Sequence, residues 1–416
     1  MRFLHLADLH LGKTIYGTSL IDSGDQTAWV ERFLQKAEEL KPDAVVMAGD
    51  VYDRGLPPGR AAQLLNTLVT ALADREIPVL ITAGNHDSIH HLSFLSQLLE
   101  ARNVFISRPL EQSAELVHKT LEDEYGPVTF WLLPYVYPAL AAQALGDAEI
   151  RDYDTAVRRI LAAQPVDFGT RNVLIAHQNV TAFGQEAERG GSESMVGGVG
   201  QVDYTAFDGF DYAALGHIHS SYAVGRETVR YAGSPLAYHF NETRQPKKGP
   251  LLVTLPEKGG KIRIERIDIE PLHPLREIRG TYDEIRVQLA ENTRRNEYLK
   301  ITLTDQRISH QTADFIHEAA KAQGSTVMEL TSDFNPFTGE AVLSGTKEMR
   351  EKPVEELFAD FYRERNGGVE AGETDLELMT LVGEMTRSLA AGQREPEEKD
   401  YRKILDFILR QEASRT

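Results

Sequence analysis

Short apolar runs and helical stripes alternate along the first two thirds of the chain. Residues 2–8, 43–50 and 78–84 are apolar-rich and closed by polar or glycine residues, the pattern of strands buried on both faces. Between them, residues 25–40 and 58–75 have helical spacing, with Leu64, Leu65, Leu68 and Leu72 on one face. Strand and helix in this order imply a parallel sheet covered by helices. Residues 129–133, 172–177 and 212–215 add strands, and residues 153–163 a helix. Residues 222–231 and 251–269, the latter a hairpin through Gly259 and Gly260, predict a second sheet packed on the first. A polar, glycine-rich stretch at 182–200 reads as a functional loop, since structureless loops of that length are uncommon in compact domains.

The pattern changes after Pro271 and Pro274. Residues 275–278, 281–291, 298–304, 310–322 and 326–330 read as β-α-β-α-β, a small second domain. The remainder has only separated amphipathic stripes. Val354, Leu357, Phe358, Phe361 and Tyr362 form one, Leu376, Met379, Val382 and Met385 another, and Tyr401, Ile404, Leu405, Ile408 and Leu409 a third. Helices this short need a surface for their apolar faces, either their own domain or a partner's groove. The expected division is 1–270, 271–335 and 336–416, which suits a chain of 416 residues.

Composition narrows the compartment and the partners. No cysteine is present, which removes disulfides, thiolate metal sites and cysteine nucleophiles. No apolar run reaches a membrane span, and the apolar N-terminus is interrupted by His5, Asp8 and His10. These features predict a cytoplasmic protein without a membrane partner. The net charge of −18 argues against a simple basic nucleic-acid binder. It leaves room for a nuclease whose bound cations reverse the field within the site.

Candidate chemistry gathers at strand ends. Asp8-Leu9-His10, Gly49-Asp50, Gly84-Asn85-His86-Asp87, His177 and Gly216-His217-Ile218-His219 each follow a predicted strand. The carboxyl ends of strands in an open α/β sheet are where ligands bind. Asp50 alone reads equally as an ordinary helix cap, but five such ends converging on one rim do not. Their oxygen and imidazole donors suit Mn²⁺, Fe²⁺ or Zn²⁺, the carboxylates favouring manganese. Seven donors (Asp8, His10, Asp50, Asn85, His177, His217 and His219) exceed the needs of one ion. With one carboxylate bridging, they serve two ions about 3.5–4 Å apart, as in phosphoester hydrolysis. Of the 13 histidines, His118, His273, His310 and His317 lie outside any motif, and His5 reads as structural.

The motifs DLH, GDVYDRG, GNHD, the strand-end His177 and GHIH resemble those of the calcineurin-like metallophosphoesterase superfamily. The stretches RFLHLADLHLGK, AGDVYDRGLPP, ITAGNHDS, FDGFDYAALGHIH and RETVRYAGSPLAYHFNE resemble its DNA nuclease subunits more narrowly. The resemblance implies a four-layer α/β fold, two packed mixed sheets flanked by helices, with a small α/β capping domain and C-terminal helices. It implies one metal on Asp8, His10, Asp50 and His219, and a second on Asp50, Asn85, His177 and His217. It further makes His86 the general acid, Asp53 the carboxylate that orients it, and Arg54 a ligand for a phosphate oxygen. Lys13, Arg60 and the 182–200 loop are weaker candidates for the DNA backbone. The implied activity is exonuclease and endonuclease action in DNA repair, recombination and replication. The implied partner is a coiled-coil ATPase docked by the C-terminal helices, with a homodimer inside a heterotetramer.

Two other readings fit part of the sequence. A phosphatase or small-molecule phosphodiesterase would share the motifs but have no use for the extra domain and tail. A noncatalytic DNA and ATPase scaffold would have no use for seven converging donors.

Overall fold

The structure is a computed structural model that describes residues 1–334, apart from 111–112, 183–199, 245–246 and 292–294, and a few isolated residues beyond. The 182–200 loop and the three C-terminal stripes therefore lie almost wholly outside the described residues. Met1–Asp333 form one compact unit.

Two six-stranded sheets pack face to face. In the first, Arg2–Leu6, Ala44–Ala48, Val79–Thr82 and Val104–Ile106 run parallel, and Leu251–Thr254 and Arg263–Arg266 extend it antiparallel beyond Arg2–Leu6. In the second, Gly126–Leu133, Arg171–His177, Tyr212–Gly216 and Arg226–Tyr231 are parallel, with antiparallel edge strands Val117–Asp123 and Ala223–Val224. Side-chain alternation assigns each strand two buried faces. In Ala44–Ala48, Val45 and Met47 meet helices Asp25–Leu40 and Gly59–Asp74, while Ala44, Val46 and Ala48 meet the other sheet. Leu174 and Ala176 do the same toward helix Tyr153–Ala162, and Val173 and Ile175 toward the first sheet. The result is four layers with a core between each adjacent pair.

One expectation is corrected. The hairpin at 251–269 belongs to the first sheet: Leu251–Thr254 pairs with Arg2–Leu6, Phe3 opposite Val253. The first strand leaves one edge open until the chain returns from the second sheet, and hydrophobic alternation cannot tell which open edge a late strand will take. Strands Val104–Ile106 and Val117–Asp123 and helix Pro138–Leu145 are additions to the sequence reading.

The sheets are also joined by polar contacts. His5, fully buried, receives a hydrogen bond from the Tyr212 hydroxyl at Nδ1 (3.0 Å) and donates from Nε2 to the Leu215 carbonyl (3.2 Å). Burial pushes its pKa down to about 3, so it is a neutral tie between sheets, a structural role.

After Pro271, strands Leu275–Gly280, Tyr298–Leu303 and Thr326–Ser332 form a parallel sheet in sequence order, with helices Tyr282–Glu291 and His310–Lys321 as crossovers. Ile278, Leu299, Ile301 and Ile316 build its own small core. It is fastened to the larger body by Asp25 at the start of helix Asp25–Leu40. Asp25 accepts from the Tyr298 hydroxyl (2.8 Å) and lies 3.0 Å from His273 Nδ1, and the two rings stack on each other.

Candidate metal centre

The five strand ends meet, but they come from both sheets. Asp8, Asp50 and Asn85 follow strands of the first sheet; His177 closes, and His217 and His219 follow, strands of the second. Backbone must approach backbone closely for this to happen. A Cβ on Gly216 would stand 1.9 Å from the Ala48 carbonyl oxygen, and one on Gly84 would stand 2.1 Å from Asp50 Oδ1. Asp8 (φ 54°), His10 (φ 42°), Asp50 (φ 48°) and His217 (φ 103°) all have positive φ without being glycine. Such conformations cost about 1–3 kcal/mol each and concentrate at functional sites.

The donors crowd into one buried cluster. His10 Nε2 is 3.2 Å from His219 Nε2 and 3.5 Å from Asp50 Oδ2. His177 Nε2 is 3.3 Å from Asp50 Oδ2 and 3.1 Å from Asn85 Oδ1, which is also 3.1 Å from His217 Nδ1. Three groups of candidate ligand atoms each gather within 4.8 Å: Asp8 with His10 and His219, Asp8 with Asp50 and His177, and His10 with Asp53 and His86.

Neighbours fix several ring tautomers. His177 Nδ1 donates to the Ala48 carbonyl at 2.8 Å, which turns Nε2 toward Asn85 and Asp50. His219 Nδ1 lies 3.2 Å from Glu242 Oε1, with Nε2 turned toward His10 Nε2 at 3.2 Å. Glu242 is buried and also receives Lys248 Nζ at 2.8 Å. Carboxylates behind ligating imidazoles in this way fix ring orientation and raise basicity. Asp87 takes the N–H groups of Val51, Tyr52 and Gly84 at 2.9–3.1 Å, locking the loop after Asp50 to the loop holding Asn85 and His86.

Electrostatics agree with a cation site. Burial pushes His10 down to about 4 and His217 down to about 3, so both rings are neutral electron-pair donors. Burial raises Asp8 to about 6 against the pull of His177 and His219. His177 stands apart: burial opposes its charge, but the Asp50 and Asp8 carboxylates outweigh burial and lift it to about 9. Nε2 of His217 is buried without a hydrogen-bond partner, and Nδ1 of His10 has only the Asp53 carboxylate at 3.4 Å. Unpaired buried polar atoms are costly. Ring nitrogens left in this way among carboxylate and amide oxygens fit divalent metal ions.

The other expected site residues divide. The His86 ring stands edge-on to His10, centroids 4.9 Å apart, with Nδ1 donating to the Asp53 carbonyl at 3.0 Å. It is therefore the main chain of Asp53 that orients His86, while the Asp53 carboxylate engages Lys13 Nζ at 2.8 Å and approaches His10 Nδ1 at 3.4 Å. Two flanking groups explain the difference: although burial would raise it, His10 and Lys13 hold this carboxylate below its ordinary range, and it stays ionised beside them. Lys13 is thus drawn inward, 15% exposed, and Arg60 is paired with Asp22 at 2.6 Å. Arg54 is exposed. Asp87 and Glu242 are the residues that sequence reasoning missed. The first closes the GNHD motif; the second lies 23 positions after His219 and has no local signal.

Comparison with known proteins agrees with this centre. Residues 1–221 match the family model described as calcineurin-like phosphoesterase, and residues 271–366 match SbcD_C, described as the Type 5 capsule protein repressor C-terminal domain. The chain is 30% identical over 321 residues to the D subunit of nuclease SbcCD from Staphylococcus saprophyticus, covering 76% of this chain and 81% of that protein. It is 30% identical over 315 residues to the protein of the same name in Staphylococcus epidermidis, covering 75% and 80%. The chain belongs to the calcineurin-like phosphoesterases and, within them, to the family of SbcD nuclease subunits.

Proposed function

We propose that this chain is the metal-dependent nuclease subunit of an SbcCD-type complex, hydrolysing DNA phosphodiesters at duplex ends and internally. Two ions, manganese by preference, would be held by Asp8, His10, Asp50 and His219 and by Asp50, Asn85, His177 and His217. The observation that carries the reading is the place of Asp50, whose Oδ2 faces His10 Nε2 at 3.5 Å and His177 Nε2 at 3.3 Å, one donor from each set. When bound there, such ions would supply Lewis-acid polarisation of the phosphodiester and activate the attacking water. His86, anchored through Nδ1, would protonate the leaving oxygen from Nε2. Arg54 takes a nonbridging phosphate oxygen. Lys13 sets the Asp53 carboxylate, and Arg60 is left to a peripheral backbone contact.

The small sheet after Pro271 would shape the DNA path, and the C-terminal stripes would dock on the coiled-coil base of an SbcC-like ATPase. A homodimer contact would use residues 89–99, where Phe94 (71%) in the turn between helices Ile89–Leu92 and Ser96–Leu99, Leu95 (52%) at the start of the second and Leu98 (69%) on it are exposed. We assign the complex to the cytoplasm and to DNA repair, recombination and replication. No described helix is long and apolar enough to cross a membrane.

The test is manganese-dependent degradation of end-labelled duplex DNA, with and without an SbcC-like partner, beside Asp50→Ala. Degradation by the native chain and its loss in the variant is the expected result. Absence of degradation under both conditions would overturn the reading.

A further inference from the structure

Two tyrosines on the rim have no part in the chemistry above. The segment after strand Gly126–Leu133 reads Pro134-Tyr135-Val136-Tyr137, and the Tyr135 N–H donates to the Ala83 carbonyl at 2.9 Å, beside the loop that carries Asn85 and His86. The Tyr135 ring lies 6.3 Å from that of His177 and 6.2 Å from that of His217, centroid to centroid. Tyr137 meets Tyr135 edge-on at 4.9 Å and remains 43% exposed. Next to the pair is a small apolar recess of about 60 Å³ between Ala83, Leu110, Pro134 and Leu140. Tyr137 precedes helix Pro138–Leu145 without capping it, so its side chain is not spent on the helix.

We propose that Tyr137, backed by Tyr135, stacks on an unpaired nucleobase flanking the scissile phosphate. The inference rests on the nuclease reading above. A base lies one sugar away from its phosphate, a span of the same order as the 6.2–6.3 Å between the Tyr135 ring and the His177 and His217 rings, and Tyr137 adjoins Tyr135. Bases inside a duplex hide their faces in the stack, so only a frayed or single-stranded base can use the ring. Aromatic faces accept every base, and the site therefore selects unpaired ends and not sequence. The net charge of −18 leaves little general attraction for the DNA backbone, which raises the share of binding that stacking must supply.

The test uses the full chain with manganese and a single-stranded oligonucleotide, intact or with an abasic site at either position flanking the cut. Removing the base should raise KM of the native chain about ten-fold, the scale of one base–aromatic stack. Tyr137→Ala should show that raised KM on the intact strand, with little change in kcat, and should not respond to the abasic site. Tyr137→Phe should behave as the native chain. Equal responses to base removal in the native chain and Tyr137→Ala would overturn the inference with the nuclease reading intact. No cleavage by the native chain would remove both.

Discussion

His86 shows how little separates a ligand from an acid. Its ring stands 4.9 Å from that of His10 and gathers with His10 and Asp53 within 4.8 Å, yet its Nδ1 is occupied by the Asp53 carbonyl, and the two proposed ligand sets leave it out. His86→Ala is expected to lower kcat about 10²–10⁴-fold, the usual worth of a general acid. Two manganese ions per chain should still be found by metal analysis. Loss of an ion in the variant would make His86 a ligand instead. The seven donors were legible in the sequence because each terminates or follows an apolar run beside glycine or another polar residue. Their supports were not. Asp87 acts through three backbone N–H groups and Glu242 through a ring 23 positions away, so neither role has a local pattern. Asp53 meets His86 through its main-chain carbonyl and not through the expected carboxylate, which Lys13 and His10 engage instead.

At the scale of elements, periodicity identified the strands that lie inside both sheets and left their edges open. Val45 and Met47 against Val46 and Ala48 declare two buried faces, whereas the pairing of Leu251–Thr254 with Arg2–Leu6 depends on an edge vacated some 250 residues earlier. The far end of the second sheet holds a different device. Arg171, at the start of Arg171–His177 and only 2% exposed, meets Asp123 of the edge strand, which also receives the N-terminal ammonium of the first sheet. Arg171 holds the Asp123 carboxyl below its ordinary 3.8. A depressed carboxyl stabilises the fold fully above that ordinary value and loses its contribution as pH falls toward the lower one. Asp123→Asn should cost about 3–5 kcal/mol at neutral pH, because the buried guanidinium loses its counterion. Denaturant melts at pH 7 and below pH 4 should show the difference between variant and native chain shrinking with acid. A difference independent of pH would mean that packing, not charge, holds this corner.

For the whole molecule, the sequence indicated a catalytic body, a small α/β unit and a helical tail, and the described residues bear on the first two. Phe94, Leu95 and Leu98 are exposed, and the proposed dimer would cover them. Light scattering is expected to give twice the chain mass, and Phe94→Asp with Leu98→Asp to give the single 46.5 kDa chain. A native chain that stays single at micromolar concentration would remove the dimer.

The division of the metal centre between two sheets has a consequence in time. His10 and His219 face each other across 209 positions of chain, and the second sheet must be made and docked before either finds its neighbour. While synthesis is under way, the emerging polypeptide has half a set of donors and no means to cut. In the proposed nuclease, the set of metal donors would close only once His219 has been translated and folded against His10.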